Sequence, residues 1–103
     1  MNTSNITGRI SRLDYYDTKE GDKFCKFTVA SKRRNDVTDF IPCVAFGYIV
    51  DTIEKYGFVG QLVGVTGELH SGSYEKDGST IYTLDLKVDK FDILQWDRNN
   101  DEG

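Results

Sequence analysis

The segment at residues 38–47, Thr-Asp-Phe-Ile-Pro-Cys-Val-Ala-Phe-Gly, most constrains what this chain can fold into. Alternate side chains of a β-strand point to opposite faces. Here both faces would be apolar: Phe40, Pro42, Val44 and Phe46 on one, and Ile41, Cys43 and Ala45 on the other. A half-buried strand should have one polar face. The segment is therefore either a central strand covered on both sides, or a strand whose second face meets a partner subunit or a flat ligand that stacks on its rings.

Length and composition predict one small domain. The chain has 103 residues, of which 38% are hydrophobic and 29% are charged. Residues 2–5 are polar, unlike a signal peptide, and no apolar run approaches the length of a membrane span. We therefore expect a cytoplasmic protein without a membrane partner.

The residues that carry metal or catalytic chemistry are sparse. The two cysteines, Cys25 and Cys43, and the single histidine, His70, do not form a zinc-ligand pattern. There is no glycine-rich phosphate-binding motif and no nucleophile with an evident base. We expect no metal, no cofactor and no enzymatic activity.

Periodicity predicts five strands and one helix. The strands are expected at residues 5–13, 23–32, 38–47, 61–73 and 80–94. Ile49, Ile53 and Tyr56 share one face of a short helix that ends at Gly57. Residues 14–22 are predicted to form a polar turn, and residues 77–78, Asp-Gly, a hairpin turn. In the fourth strand, the residues available for burial are Leu62 or Val63, together with Val65 and Leu69.

This element order predicts an all-β fold. Five strands with one short helix between the third and fourth are typical of the OB-fold, a five-stranded Greek-key barrel. We assign residues 1–95 to this domain and residues 96–103 to a short acidic, polar tail. OB-folds commonly bind oligonucleotides or oligosaccharides on one face, although the fold alone does not establish the function.

Basic residues are concentrated in the first third of the chain, despite a formal net charge of -4. Residues 9–34 contain eight basic side chains and four acidic ones. The densest cluster, Lys32, Arg33 and Arg34, follows the second strand, where a loop can contact a phosphate backbone. Alternatively, these three residues form only a solvated loop.

The chain also resembles the bacterial and bacteriophage single-stranded-DNA-binding proteins over residues 5–94. The resemblance lies in the order and spacing of short motifs: Gly8-Arg9, Phe27-Thr28-Val29-Ala30, Asp39-Phe40, Val44-Ala45-Phe46-Gly47, Val63-Gly64-Val65-Thr66-Gly67-Glu68-Leu69, Ser73-Tyr74 and Asp89-Lys90-Phe91-Asp92-Ile93-Leu94.

The resemblance implies that three aromatic side chains occupy base-stacking positions and that the basic loop follows the DNA backbone. The stacking residues are Phe40, Phe46 and Tyr74, and the loop residues are Lys32, Arg33 and Arg34. We add four further residues to the predicted nucleic-acid site: Tyr16, Lys26, Tyr48 and Lys76. An alternative for Tyr74 is a hairpin aromatic that covers the edge of the sheet.

Several positions depart from the family. Pro42 removes a backbone donor, so the third strand should be an edge or bulged there. Tyr48 stands where lysine is common, His70 and Gly72 where arginine is frequent, and Asn35 near the position of a further stacking tryptophan. The family's flexible linker and acidic tip are missing, which fits either a compact phage-like member or a truncated chain.

We therefore expect a stoichiometric single-stranded-DNA-binding protein without sequence preference that acts in DNA replication, recombination or repair. Alternatives are an OB-fold adaptor of a replication or primosome complex with weak nucleic-acid affinity and, less favoured, an oligosaccharide-binding domain. The resemblance also implies a homotetramer, with a dimer second, and replication or recombination proteins as partners. Ile41 and Cys43 are the residues predicted for the oligomer interface.

Overall fold

The computed structural model describes residues 1–97. Five strands and one helix occur in the predicted order: β1 (Ser4–Asp17), β2 (Lys23–Lys32), β3 (Thr38–Phe46), α1 (Tyr48–Tyr56), β4 (Leu62–Lys76) and β5 (Ser79–Ile93). The hairpin turn at Asp77 and Gly78 lies between β4 and β5, and both residues have positive φ angles. None of the described helices is long and apolar enough to cross a membrane.

The strands form a closed barrel in the order β1-β2-β3-β5-β4, with β4 pairing back to β1. All neighbours are antiparallel except β3 and β5, which pair in parallel through Cys43 with Leu86 and Val44 with Lys87. The predicted OB-fold, with its helix between the third and fourth strands, is confirmed. Pro42 lies just before the β3–β5 pairing and has only β2 beside it, so the predicted edge position is also confirmed.

The core is built from the inward-facing residues of each strand and from α1. Cys25, Phe27 and Val29 of β2 are at most 2% exposed, and Cys43 and Ala45 of β3 are equally buried. Leu86 and Val88 complete the core from β5. The predicted alternation of buried and exposed positions therefore holds through the barrel.

Helix α1 packs on the barrel through Ile49, Val50 and Ile53, all of them buried. The Gly57 amide donates a hydrogen bond of 2.7 Å to the Ile53 carbonyl, which confirms Gly57 as the end of the helix. Tyr56 differs from the prediction because it is 44% exposed and packs edge-to-face against Trp96, with 5.2 Å between the ring centroids.

β1 is longer than its sequence pattern indicates. It continues to Asp17, and Tyr15 and Tyr16 pair with Cys25 and Phe24 of β2. The predicted polar turn at residues 14–22 is therefore wrong over its first half. Polar side chains on the outer face made this part resemble a loop, but the ladder with β2 keeps it extended, and the turn begins only at Thr18.

The distal halves of β4 and β5 leave the barrel as a two-stranded ribbon. Beyond the pair formed by Leu69 and Leu86, each strand is paired only with the other. Leu69, which was expected to be buried, is 38% exposed, and Leu84 is 55% exposed. Both side chains point to the side of the sheet that faces the core within the barrel. In the ribbon, no further layer covers that side.

The chain after β5 is held against the barrel by Gln95. Its amide oxygen accepts hydrogen bonds from Arg9 at 2.8 Å and from the Leu62 amide at 3.3 Å. Its carbonyl accepts one from the buried Gln61 side chain at 3.0 Å. The predicted acidic tail at residues 96–103 lies, except for its first two residues, outside the described part of the chain.

Candidate nucleic-acid interface

The outer face of β2 and β3, which points away from the core, carries the first group of predicted site residues. The register aligns Phe24 with Phe46, Lys26 with Val44, Thr28 with Pro42 and Ala30 with Phe40. Phe40 is 62% exposed and Phe46 is 47% exposed. The interpretation of residues 38–47 as a central strand covered on both sides is therefore wrong, because only the face with Cys43 and Ala45 is buried.

Phe40 and Phe46 stand at opposite ends of this face. Six residues of extended strand separate their α-carbons by roughly 20 Å, at about 3.3 Å per residue. Pro42 and Val44 lie between them on the same face and have smaller apolar side chains. The exposed Lys26 pairs with Val44 on the neighbouring strand, so the outer face also carries a cation.

Three aromatic rings form a stack across the end of this face, and we call Tyr16, Phe24 and Phe46 the aromatic ladder. They come from β1, β2 and β3, and the register places them side by side. Ring centroids are 5.2 Å apart between Tyr16 and Phe24 and 5.7 Å apart between Phe24 and Phe46. The Lys26 Nζ atom lies 5.9 Å from the Tyr16 ring centroid, which is a cation–π contact.

Tyr48 lies next to the ladder, at the start of α1. It is 73% exposed and, with Phe46, lines an open hollow that also contains Lys23. Asp22 and Asp51 line the same hollow. Phe46 and Tyr48 therefore present aromatic surface at one edge of the outer face, in mixed electrostatic surroundings.

Tyr74 and Lys76 project from the β4–β5 ribbon on the side that continues the outer face. Val44 pairs with Lys87 and Lys87 with Glu68, and alternate residues from Glu68 lead along β4 to Tyr74 and Lys76. Tyr74 is 52% exposed and pairs across the ribbon with Ile81. The ribbon thus extends the interface beyond the barrel, while Tyr74 remains largely open to solvent.

The basic loop between β2 and β3 is partly neutralised. Arg33 donates two hydrogen bonds of 2.9 Å to the two carboxylate oxygens of Asp39. This pairing lowers the pKa of Asp39 and raises that of Arg33. Lys32 and Arg34 are exposed and form no ion pair within residues 1–97, so these two cations are available to a phosphate backbone.

Phe24 and Asp39 are the parts of this surface that the sequence analysis missed. The signal for Phe24 was present, because it alternates with Cys25, Phe27 and Val29 and so belongs to the outer face. Nothing in the spacing of Arg33 and Asp39 indicated their ion pair. It depends on the turn that brings the Arg33 amide within 2.7 Å of the Val37 carbonyl.

The predicted oligomer-interface residues occupy the opposite face of β3. Cys43 is 2% exposed within the single chain, and Ile41 is partly buried against the same core. The Cys43 side chain therefore offers little surface to a second copy, because its own barrel already covers it. Burial raises the pKa of both Cys25 and Cys43 to about 12, so each thiol stays protonated near neutral pH.

The described residues hold no cluster of histidine, cysteine, aspartate or glutamate side chains that could bind a metal ion. His70 is exposed on β4, and its Nε2 atom lies 3.0 Å from a carboxylate oxygen of Glu68.

Solved structures of known proteins share the fold closely. A Plasmodium falciparum SSB in complex with ssDNA superimposes with a TM-score of 0.80, at 26% identity, over 94% of this chain and 96% of that one. A mitochondrial single-stranded DNA binding protein from S. cerevisiae matches in fold, with a TM-score of 0.78 at 24% identity over 90% of this chain and 94% of that one.

Sequence comparison leads to the same group of proteins. A single-stranded DNA-binding protein from Staphylococcus epidermidis is 35% identical across 99% of this chain and 82% of its own length. One from Clostridium perfringens is also 35% identical, across 91% of this chain and 66% of its own length. The profile of the single-strand binding protein family matches residues 1–94. Barrel, exposed aromatic face and sequence relatives agree, and the chain belongs to the single-strand binding protein family.

Proposed function

We propose that this protein binds single-stranded DNA without sequence preference, using the outer face of β2 and β3, the basic loop and the β4–β5 ribbon. The observation that carries the proposal is the exposure of Phe40, Phe46 and Tyr74 on one continuous side of the molecule. Every base has a π face, so stacking on such rings tolerates all sequences. Duplex DNA keeps its bases paired and stacked inside, out of reach of these rings.

The charges on this side support the same proposal. Lys26 lies between the aromatic ends of the face, and Lys32 and Arg34 stand free at its edge. Cations beside stacking rings can neutralise the phosphates that link successive bases. The relatives are named single-stranded DNA-binding proteins, and the Plasmodium falciparum structure is a complex with ssDNA.

We further propose that the protein acts stoichiometrically in the cytoplasm, coating exposed strands during replication, recombination or repair. Recruitment of replication or recombination proteins belongs to the same proposal. The alternative of an adaptor that mainly binds proteins is not favoured. An adaptor of that kind would not explain why exposed rings and unpaired cations lie on the same side of the molecule.

We also propose that the protein forms a homo-oligomer, with a tetramer favoured over a dimer. Cys43 is buried in its own barrel, whereas one side of the ribbon leaves large apolar side chains uncovered: Leu69, Tyr82 and Leu84. A second copy could cover this surface. Several linked sites would make later contacts along one strand intramolecular and raise the overall affinity.

Fluorescence anisotropy with labelled oligo-dT, oligo-rA and a DNA duplex, each across a salt series, tests the function. We expect oligo-dT to bind more tightly than the duplex, with log K falling by about 0.7 per phosphate contact against log salt. Duplex binding as tight as single-strand binding would contradict the proposal, because paired bases cannot stack on Phe40, Phe46 or Tyr74. Oligo-rA reports how far the site discriminates DNA from RNA.

A further inference from the structure

Phe24 occupies the centre of the aromatic ladder. Because β2 lies between β1 and β3, Tyr16 and Phe46 approach the Phe24 ring from opposite sides. The interplanar angles are 19° to Tyr16 and 29° to Phe46, close to parallel in both cases. Centroid separations of 5.2 Å and 5.7 Å are those of offset-stacked rings. Phe24 is itself partly buried, so its own faces are occupied by its neighbours.

Phe46, in contrast, has a strand neighbour on one side only. The pairing of β3 with β5 involves Cys43 and Val44 and does not reach Phe46. The next residue, Gly47, has a φ of 65°, and the chain turns there into α1. The side of the Phe46 ring that faces away from Phe24 is therefore open, in keeping with its 47% exposure.

An aromatic side chain at the end of a strand has several staggered χ1 rotamers available. Fixing such a side chain during binding weakens affinity by about 2- to 10-fold, the equivalent of ordering one rotamer-rich side chain. Stacking on Phe24 removes that cost beforehand, because the ring already stands in one orientation. Tyr16 supports Phe24 in the same way from β1.

We infer that Phe24 is a positioning residue: it holds the Phe46 ring so that the open face is ready to receive a nucleic-acid base. The inference rests on the proposed single-strand binding and adds a residue that does not itself contact the base. Because Phe24 acts through Phe46, its contribution disappears when Phe46 is absent.

A double-mutant cycle in oligo-dT affinity tests this role, with the variants Phe24→Leu, Phe46→Leu and the two combined. Leucine keeps apolar cover on the sheet but cannot stack. We expect Phe24→Leu to weaken binding about 2- to 10-fold with an unchanged salt slope, since no phosphate contact is lost. In the Phe46→Leu background the same change should have no further effect. Phe24→Tyr retains an aromatic ring, so this variant should bind oligo-dT as tightly as the unsubstituted protein.

Phe91→Leu is the matched control. Phe91 is also partly buried and packs edge-on against Phe27, with centroids 5.8 Å apart, but it lies on the core side. It should lower the free energy of unfolding without changing oligo-dT affinity. Phe24→Ile, a strand-forming alternative, replaces Phe24→Leu if the latter does not fold.

Two results would overturn the inference alone: unchanged affinity in Phe24→Leu while Phe46→Leu binds weakly, or losses that add fully in the double variant. If the unsubstituted protein binds oligo-dT no better than duplex, the proposed function fails and takes this inference with it. The cycle therefore separates failure of the positioning role from failure of the function.

Discussion

At the scale of single residues, this protein uses aromatic side chains in two opposite ways. Phe27 is buried and holds the barrel together, whereas Phe40 and Phe46, on the neighbouring strand, are left in contact with solvent. Exposure of a large ring costs stability that burial would otherwise provide. The exposed rings are therefore the residues at which substitution should separate binding from folding.

Replacing Phe40, Phe46 or Tyr74 by alanine should each weaken oligo-dT binding by about 1 to 3 kcal/mol, the usual contribution of one base–ring stack. Stability should change little, because each side chain is about half exposed or more. Phe27→Ala is the control, and it should lower the free energy of unfolding by about 3 to 5 kcal/mol. Urea unfolding and anisotropy together check this, and a Phe40 variant that lost stability but kept its affinity would contradict the stacking role.

We expect Asp39 to compete with phosphate for Arg33, so that its removal strengthens binding. In Asp39→Asn the guanidinium loses its bidentate carboxylate partner and becomes available to DNA. We expect tighter oligo-dT binding and a salt slope steeper by about 0.7, which corresponds to one added phosphate contact. The measurement is anisotropy against salt concentration.

Asp36→Asn is the matched control for this prediction. Asp36 lies in the same loop with a φ of 67°, a conformation that asparagine adopts readily, and within residues 1–97 its carboxylate forms no ion pair. The control removes the same charge without releasing an arginine, so its salt slope should equal that of the unsubstituted protein. Equal slopes in both variants would show that Arg33 does not reach the DNA.

At the scale of structural elements, the β2–β3 loop has fewer free cations in the structure than its sequence indicates. Sequence marks Lys32, Arg33 and Arg34 as three equivalent cations, but the fold pairs Arg33 with Asp39. The ion pair is exposed and contributes little to stability. Its effect is to reduce the number of cations that the loop offers.

Changing Lys32 and Arg34 together to glutamine should flatten the oligo-dT salt slope by about 1.4, at about 0.7 for each lost contact. Adding Arg33→Gln should change the slope only slightly further, because Asp39 already occupies that side chain. The loss of affinity should be similar for all single-stranded sequences, since phosphates carry no sequence information. An unchanged slope in the double variant would remove this loop from the interface and direct attention to Lys26, Arg9 and Arg12.

At the scale of the whole molecule, the ribbon of β4 and β5 is the part whose apolar side chains a single barrel leaves uncovered. The pairs beyond Leu69 and Leu86 have no second layer, and isolated two-stranded ribbons are only marginally stable in water. Contact with a second copy would cover the exposed apolar side chains of the ribbon. Such association would be linked to binding, because the same ribbon presents Tyr74 on its other side.

Light scattering coupled to size exclusion should therefore give a mass several times the 11.7 kDa of one chain at micromolar concentration. Replacing Leu84 by glutamate, on the uncovered apolar side, should reduce the mass and weaken binding to long oligo-dT more than to short oligo-dT. Thr83→Glu, on the side of the ribbon that presents Tyr74, is the control for the mass and for the ratio of long to short oligo-dT affinity, neither of which should change. A stable monomer with full affinity for long DNA would contradict the assembly while leaving the single-strand interface intact.

The sequence by itself determined the barrel and its inward and outward faces. Strand alternation has a period of two, so Cys25, Phe27 and Val29 indicated the buried face of β2. It also placed Phe40 and Phe46 together on one face of β3, but because both faces of that segment are apolar, only the structure showed that this face is exposed. The change of period after Gly47 fixed the helix, and residues 77–78 fixed the hairpin turn. These are local regularities, and the spacing of residue types within one segment is enough to predict them.

Only the tertiary structure decided which side chains meet. Tyr16 and Phe24 are aromatic in the sequence, but their stack with Phe46 depends on the register of three strands. Arg33 meets Asp39 because of one turn, and Leu69 is exposed because the barrel ends below it. Register, turn geometry and barrel height arise from contacts between segments distant in the chain. Spacing within any one segment therefore cannot predict them.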